Sequence, residues 1–306
     1  MNKELISNLK VILEYEKIYG NSFKVNSYNK AINIIELQNK KIQKIDDIKD
    51  SGIGKNILEK IIEFITTNKI EKVNEIKNDN KYNLFNILNN IHGFGPVKIK
   101  QLIDNINSFD DLLLPENFKL LNKTQQKGVK YFKDLNLRIP YSEGKMHYNI
   151  INTYLKIIDP NIEFDMVGSF RRKKDEMGDI DILIKNNNKF ILENLVKLLC
   201  DKKYIIETLA NGKKKFMGIC KINDLPARRV DILLTEPEHY YFTLLYFTGS
   251  YEFNIEMRKV ALKYNLSLSE YGFTDLTTKK LIDKNIKSEE DIFKVLNMKY
   301  IKPENR

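Results

Sequence analysis

Leu5, Leu9, Ile12 and Leu13 recur at three- and four-residue spacing. They put one apolar face on a helix that ends near Gly20, and the spacing predicts a second helix from about Ser27 through Leu37. Two later segments repeat a single pattern, SGIGKNILEKIIEFI over 51–65 and HGFGPVKIKQLI over 92–103. Each reads Gly, apolar residue, Gly, and then a helix with an apolar stripe. The first 140 residues therefore read as helical and modular. From about Tyr141 the period shortens. FDMVGSF, DIDILI, KFMGIC and RRVDILL are short β-rich runs, with a long helix predicted around 188–200 between the second and third. After Glu236 an aromatic run, HYYFTLLYFTGSYEFN, leads into a helix near 254–264 and a small, partly β tail.

A chain of 306 residues with 42% hydrophobic content can bury full cores and is expected to form two or more domains. The 51 Lys and Arg against 41 Asp and Glu leave a net charge of +10. An excess of that size favours a polyanionic partner, nucleic acid ahead of a membrane surface, over a merely lysine-rich solvated exterior. Two cysteines, Cys200 and Cys220, both in apolar surroundings, form no disulfide framework and suit a reducing compartment. The charged opening MNKELISNLKVILEYEK has no apolar signal core, and no apolar run approaches the roughly 18 residues of a membrane span. These features predict an intracellular protein that is neither secreted nor membrane-bound.

The candidate chemistry begins at GDIDILI (178–184). Strand alternation puts Asp179 and Asp181 on one face and Ile180, Ile182 and Ile184 on the other. RRVDILL repeats the design, with Asp231 between Val230 and Ile232. Three carboxylates on neighbouring strands repel one another unless cations meet them, and such a hard-oxygen set suits Mg²⁺. Two such ions about 4 Å apart activate an attacking hydroxyl and stabilise a leaving pyrophosphate. A lone Asp-x-Asp pair is more often a solvated strand edge. The Gly-Ser turn ten residues upstream, in GSFRRKKDEMGDIDILI, changes that balance. Gly168 allows close backbone approach, while Ser169 and Arg172 can hold phosphate oxygens. The paired Gly-apolar-Gly segments resemble helix-hairpin-helix motifs, whose backbone N–H groups approach a phosphate without reading base sequence.

In combination, GSFRR…GDIDILI, RRVDILL, LLYFTGSYEFNIEMR and the closing DIFKVLNMKYIKPENR resemble the family X DNA polymerases, those of the beta type above all, nearly end to end. The resemblance implies an α+β chain. Its parts would be an N-terminal helical 5′-deoxyribose phosphate lyase domain (1–78), a helix-hairpin-helix DNA-binding subdomain (79–140), a nucleotidyltransferase palm with a mixed sheet (141–235) and a small nucleotide-selecting α+β subdomain (236–306). It implies Asp179 and Asp181 as ligands to two Mg²⁺ ions, and Asp231 as ligand to the catalytic ion and acceptor of the primer hydroxyl proton. Arg138, Ser169, Arg172 and Gly178 match triphosphate contacts. Tyr246, Phe247 and Gly249 match the segment that senses the sugar, and Asn254 and Arg258 the positions that reach the minor groove. Carbonyls of Ile48, Asp50 and Ile53, and of Asn89, Ile91 and Phe94, match positions that bind a monovalent cation, Na⁺ or K⁺, beside a DNA phosphate. Lys60 falls on the Schiff-base lysine, with Lys24, Tyr28, Glu59 and Lys72 as its neighbours.

The implied activity is template-dependent filling of gapped or nicked DNA from dNTPs in base excision repair, by a monomer on DNA, in a nuclear or cytoplasmic setting with a viral origin left open. The alternatives are a template-independent nucleotidyltransferase and a DNA-binding scaffold without catalysis. The chain departs from the pattern at five positions. Phe23 stands for a histidine, Asn56 for a lysine, Met177 for a serine, Leu233 for an arginine and Tyr251 for an acidic residue.

Overall fold

The computed structural model describes every residue except Met1, Asn39, Lys49, Asp50, Asp283 and Lys284. The chain divides into two compact units, Met1–Val129 and Lys130–Arg306.

The first unit is helical among its described residues. Helix α1 (Lys3–Ile18) buries the predicted stripe Leu5, Leu9, Ile12 and Leu13. Helix α2 (Ser22–Glu36) begins five residues earlier than the apolar spacing predicts. The reason is a cap: the Asn21 side chain accepts from the Lys24 backbone N–H at 3.1 Å, so the helix can start directly behind Gly20. Helices α3 (Lys55–Thr67), α4 (Glu71–Lys77) and α5 (Asn80–Asn89) follow, then α6 (Pro96–Leu102), α7 (Pro115–Phe118) and α8 (Lys123–Leu135). The division between the units falls within α8. One core joins Ile12, Ile32 and Ile35 to Ile57, Ile61, Ile70 and Ile76.

In the second unit, β1 (Ile139–Pro140) leads into α9 (Tyr141–Ile158), so the change of period near Tyr141 opens on a helix rather than a strand. Next come β2 (Glu163–Met166), α10 (Gly168–Arg171), β3 (Glu176–Met177) and β4 (Ile180–Lys185). The FDMVGSF run is thus half strand and half helix. Helix α11 (Phe190–Asp201) precedes β5 (Ile205–Asn211), β6 (Lys215–Cys220) and β7 (Arg228–Thr235). The five-stranded sheet has the order β2-β4-β7-β6-β5, parallel between β4 and β7 and antiparallel elsewhere. Ile180, Ile182, Ile184, Val230 and Ile232 are fully buried beneath it, each worth roughly 1.5–3 kcal/mol of burial. Beyond the sheet lie α12 (Tyr240–Thr248), α13 (Tyr251–Lys263), the antiparallel strands β8 (Leu266–Ser269), β9 (Gly272–Asp275) and β10 (Leu281–Ile282), and α14 (Glu289–Val295). These pack a separate core on Phe273, Ile292 and Phe293. One expectation fails: Cys220 is buried, but Cys200 is exposed, because the last turn of α11 carries it off the stripe formed by Leu192, Leu195, Val196 and Leu199.

A polar network is buried in this unit. Arg228 donates to both carboxylate oxygens of Glu143, at 2.7 and 2.9 Å, and to the Leu137 carbonyl at 2.9 Å. It thereby ties β7 to α9 and to the segment before β1. His147, one turn beyond Glu143, shares a hydrogen bond with the Tyr204 hydroxyl through Nδ1 (2.7 Å) and leaves Nε2 at 3.6 Å from Glu143 Oε1. Burial pushes its pKa down to about 4, and the nearby Glu143 carboxylate only partly opposes this. A second constraint sits at Gly168, which has φ +60°, and whose missing Cβ would lie 2.5 Å from Asp181 Oδ2. A side chain there meets both left-handed backbone strain and a carboxylate.

Two outcomes follow from these contacts. The folded pKa of His147, about 4, lies below its ordinary 6.5, so between those values the unfolded chain binds the extra proton. Its contribution is intact above about pH 6.5 and is lost as pH falls toward 4, at no more than about 1.4 kcal/mol per pH unit. Denaturant unfolding at pH 7 and 5.5 should therefore show a smaller pH-linked loss in His147→Gln than in the natural sequence. Equal losses would assign the slope to other groups. Gly168→Ala should cost about 1–3 kcal/mol through strain and the displaced Asp181. A melting temperature within a degree of the parent would contradict the close approach.

Candidate active site

Asp181 and Asp231 are direct cross-strand partners in the parallel β4–β7 register, and Asp179 lies just before β4. Alternation turns both strand carboxylates to the face opposite the isoleucine core. Asp231 is 3% exposed and the Asp179 side chain 37% exposed, so the cluster runs from the sheet interior outward. Like-charge crowding is visible at Asp181. Its pKa is pushed up to about 7, by burial first and then by the charges of Asp179 and Asp231, while Arg229 and Lys215 pull in the other direction.

Those two cations were missed by sequence reasoning. Arg229 forms a two-pronged pair with Asp231, both contacts at 3.1 Å, and reaches Asp179 Oδ2 at 3.8 Å. Lys215 on β6 lies 3.4 Å from Asp231 Oδ2. The signal was present in the Arg-x-Asp spacing of RRVDILL, since residues two apart on a strand share a face. With Arg229 among them, the triad oxygens do not all come within 4.8 Å of one another. Among the described residues Glu236, Glu238 and His239 do so. Three carboxylates and no nitrogen or sulfur ligand remain the donor chemistry of a hard divalent ion, so the residues fit Mg²⁺.

The Gly-Ser turn forms a cationic corner beside the triad. Arg172 Nη2 donates to Ser169 Oγ at 3.1 Å, and Nη1 donates to the Thr248 carbonyl. Gly168 abuts Asp181, and Gly249 abuts the Arg172 guanidinium. Ser169, Arg172, Asp181 and Gly249 are thus brought together from sequence positions 80 residues apart. Arg138 lies next to Gly178 and pairs with Glu176 at 3.2 Å. On α12 and α13, Asn254 Nδ2 donates to the Tyr246 carbonyl at 2.7 Å, Arg258 stacks over the Tyr246 ring at 5.2 Å, and the Phe247 ring packs edge-on against it. The Arg171 side chain, beside Arg172, pairs with buried Glu289 at 2.7 Å and with Thr248 Oγ1 at 2.7 Å, which braces the same corner from behind.

In the first unit, a cavity of about 430 Å³ is lined by Lys24, Tyr28, Lys60 and Lys72, the predicted set without Glu59. Lys55, Asn56 and Phe23 also line it, as does buried Glu16. Lys24 pairs with Glu16 at 2.9 Å, Lys72 pairs with Glu75 at 2.7 Å, and Lys60 Nζ donates to the Asn56 carbonyl at 3.3 Å.

The glycines of the two hairpins correspond: Gly52 (φ +79°) and Gly93 (φ +86°) are both left-handed, and Gly54 and Gly95 cap α3 and α6. The carbonyl hydrogen bonds fall at different steps, the Ile48 carbonyl accepting from Ser51 N ahead of Gly52 and the Ile91 carbonyl from Phe94 N across Gly93, both at 3.1 Å. Ile53 and Asn89 flank these turns, whereas Asp50 lies outside the described residues.

Comparisons with known proteins agree with this layout. Residues 138–237 match the DNA polymerase beta palm, residues 243–306 the DNA polymerase beta thumb, and residues 1–70 a helix-hairpin-helix domain. The chain is 25% identical over 329 aligned residues to DNA polymerase lambda of Rattus norvegicus, covering all of this chain and 56% of that protein. It is 24% identical to DNA polymerase lambda of Arabidopsis thaliana, again over its whole length and 62% of the relative. It is 26% identical to DNA nucleotidylexotransferase of Xenopus laevis over 82% of this chain and 57% of that protein. The chain thus spans a little over half the length of the curated relatives it matches. With palm, thumb and hairpin matches in the family's order along one α+β chain, it belongs to family X of the DNA polymerases.

Proposed function

We propose that this chain is a template-dependent, gap-filling DNA polymerase of base excision repair whose N-terminal unit also carries 5′-deoxyribose phosphate lyase chemistry. The observation that carries the polymerase reading is the in-register Asp181–Asp231 pair beside the Arg172–Ser169–Thr248 corner. A carboxylate cluster and a cationic, glycine-lined pocket in one place suit a reaction between a hydroxyl and a triphosphate. Asp179, Asp181 and Asp231 would hold two Mg²⁺ ions, and bound there the ions would supply Lewis-acid activation of a hydroxyl and charge neutralisation at a leaving pyrophosphate.

The chain's own residues do the rest. Ser169, Arg172, Gly178 and Arg138 hold the phosphates, with the Arg172 guanidinium fixed by its bonds to Ser169 and Thr248. Asp231 takes the proton from the primer 3′-hydroxyl. Tyr246, Phe247 and Gly249 lie against the sugar, and Asn254 and Arg258 reach the minor groove of the nascent pair. Carbonyls of Ile48 and Ile53, with Asp50 of the same hairpin, and of Asn89, Ile91 and Phe94 would hold a monovalent cation, which would supply positive charge for a DNA phosphate at each hairpin. The functional parts are lyase 1–78, DNA binding 79–140, palm 141–235 and nucleotide selection 236–306, acting on gapped or nicked DNA as an intracellular monomer. Among the described residues no helix is long and apolar enough to cross a membrane. The lyase reading is supported by the lysine-lined cavity around Lys60, which suits an amine nucleophile and a phosphate-bearing substrate.

A template-independent nucleotidyltransferase is the second reading, favoured by the similarity to DNA nucleotidylexotransferase. Primer extension on one-nucleotide-gapped against blunt DNA, each nucleotide supplied singly, separates the two. Addition of only the complementary nucleotide at the gap supports the first reading, and untemplated addition at the blunt end supports the second. Asp231→Asn should abolish addition while the binding isotherm on gapped DNA stays nearly unchanged. Extension within about tenfold of the parent, ~1.4 kcal/mol of barrier, would exclude the proposed role. For the lyase, borohydride should trap a covalent adduct on an incised abasic strand, and Lys60→Ala should lose most of it. Full trapping in that variant would shift the nucleophile to another lysine.

A further inference from the structure

The lysine-lined cavity of the first unit contains a group that a phosphate pocket alone does not call for. Lys24, Lys55, Lys60 and Lys72 line it, and Glu16 is the one acidic side chain among the described residues around it. The Glu16 side chain is only 9% exposed. Burying a carboxylate costs several kcal/mol of hydration, and one placed among lysines weakens the anion affinity those lysines provide. The pair with Lys24 at 2.9 Å offsets the first cost, but it also occupies an ammonium group that could otherwise meet phosphate. Glu16 issues from the buried side of α1, one turn after Ile12, and faces Lys24 and Tyr28 of α2. Its charge is felt there: the Tyr28 phenol is pushed up to about 12, by burial first and then by Glu16. Tyr28 is therefore a hydrogen-bond donor at neutral pH and a poor base, and the remaining ionisable groups lining the cavity are the lysines.

We infer that Glu16 is the base of the lyase reaction, taking the proton from C2′ of the abasic sugar held as an imine on Lys60. This rests on the lyase reading of the cavity. Lys60 Nζ adds to the C1′ aldehyde and the adduct loses water to give the iminium. The Glu16 carboxylate then takes the C2′ proton, and the C–H electron pair becomes the C2′=C3′ double bond. The C3′–O bond breaks, and the 5′-phosphate of the downstream strand leaves with that bond's electrons. Water hydrolyses the unsaturated imine, freeing Lys60, and Glu16 returns its proton to solvent. General-base catalysis of this kind typically contributes 10²- to 10⁴-fold.

The two halves of the reaction can be read separately on an incised abasic duplex. Borohydride trapping reports the imine, and release of the downstream 5′-phosphate reports elimination. In Glu16→Gln, release should slow about 100-fold while the trapped adduct stays at or above the parent level, because the imine forms and then stalls. Glu16→Asp, a shorter base with the same charge, should recover part of the rate and serves equally if the Gln variant melts early. Glu14→Gln, on the exposed side of α1, should leave both readouts unchanged. Release within threefold of the parent in Glu16→Gln would overturn the assignment. So would a parallel fall of adduct and release, which would mean that Glu16 only shapes the pocket. If Lys24→Met reproduced the split, Glu16 would be acting through Lys24, and the assignment would again fail. Absence of both adduct and release in the parent protein would instead remove the lyase reading itself.

Discussion

Three carboxylates crowded on one face of the inner strands of a buried sheet are the constraint around which the second unit is organised. The parallel β4–β7 register sets Asp181 directly beside Asp231, and the hydrophobic face below them leaves no freedom to rotate either away. A one-residue slip would put isoleucines in the site and aspartates in the core, so the apolar packing that stabilises the sheet also fixes the acid positions. The crowding is met by cations drawn from three places: Arg229 two residues before Asp231, Lys215 across the β6–β7 ladder, and Arg172 just after α10. Metal binding in such a site has to compete with these internal counter-ions.

The same need for fixed geometry explains the buried polar network behind the sheet. Arg228 points away from Asp231 and into Glu143, while its neighbour Arg229 points toward the acids. Successive residues of one strand therefore serve opposite faces, one locking the strand to α9 and the other balancing charge. Arg171 and Arg172 divide their work similarly at the end of α10. Arg171 is anchored in Glu289, which also holds Arg306 at 2.8 Å, and Arg172 is left to face the cleft. In both pairs an arginine buried in a salt bridge holds the backbone from which the next arginine acts. Truncating Arg228 would leave Glu143 as an uncompensated buried carboxylate, typically a 3–5 kcal/mol penalty, whereas Glu289 would keep Arg306 if Arg171 were truncated.

Much of this was legible in the sequence because the signals were local. Period-2 alternation gave the faces of β4 and β7, and the repeated Gly-apolar-Gly pattern gave two hairpins whose glycines take the same left-handed and capping roles. What was not legible depended on contacts between distant segments or on a single cap. The start of α2 was set by Asn21, which apolar spacing cannot see. The exposed position of Cys200 depended on where α11 ended. Arg229 was passed over because its role appears only once Asp179 and Asp231 lie on adjacent strands. Nothing local in the sequence marks Glu16 as lining a cavity with residues of α2, α3 and α4.

The two candidate sites use mirror-image electrostatics. In the second unit a cluster of anions awaits cations, and the buried Asp181 is the member whose charge is hardest to sustain. In the first unit a group of lysines awaits an anion, and the buried Glu16 is the member of opposite sign. Each cluster of like charge contains one group that works against simple ion binding. For the acids that is Arg229, which covers Asp231; for the lysines it is Glu16, which covers Lys24. A surface meant only to attract a polyanion would gain nothing from an internal carboxylate, because its affinity comes from uncompensated positive charge. A site that must move a proton needs an acceptor within reach of the reacting carbon, and among lysines only a carboxylate provides one. The buried position of Glu16, expensive in hydration and in phosphate affinity, is better accounted for by chemistry than by binding.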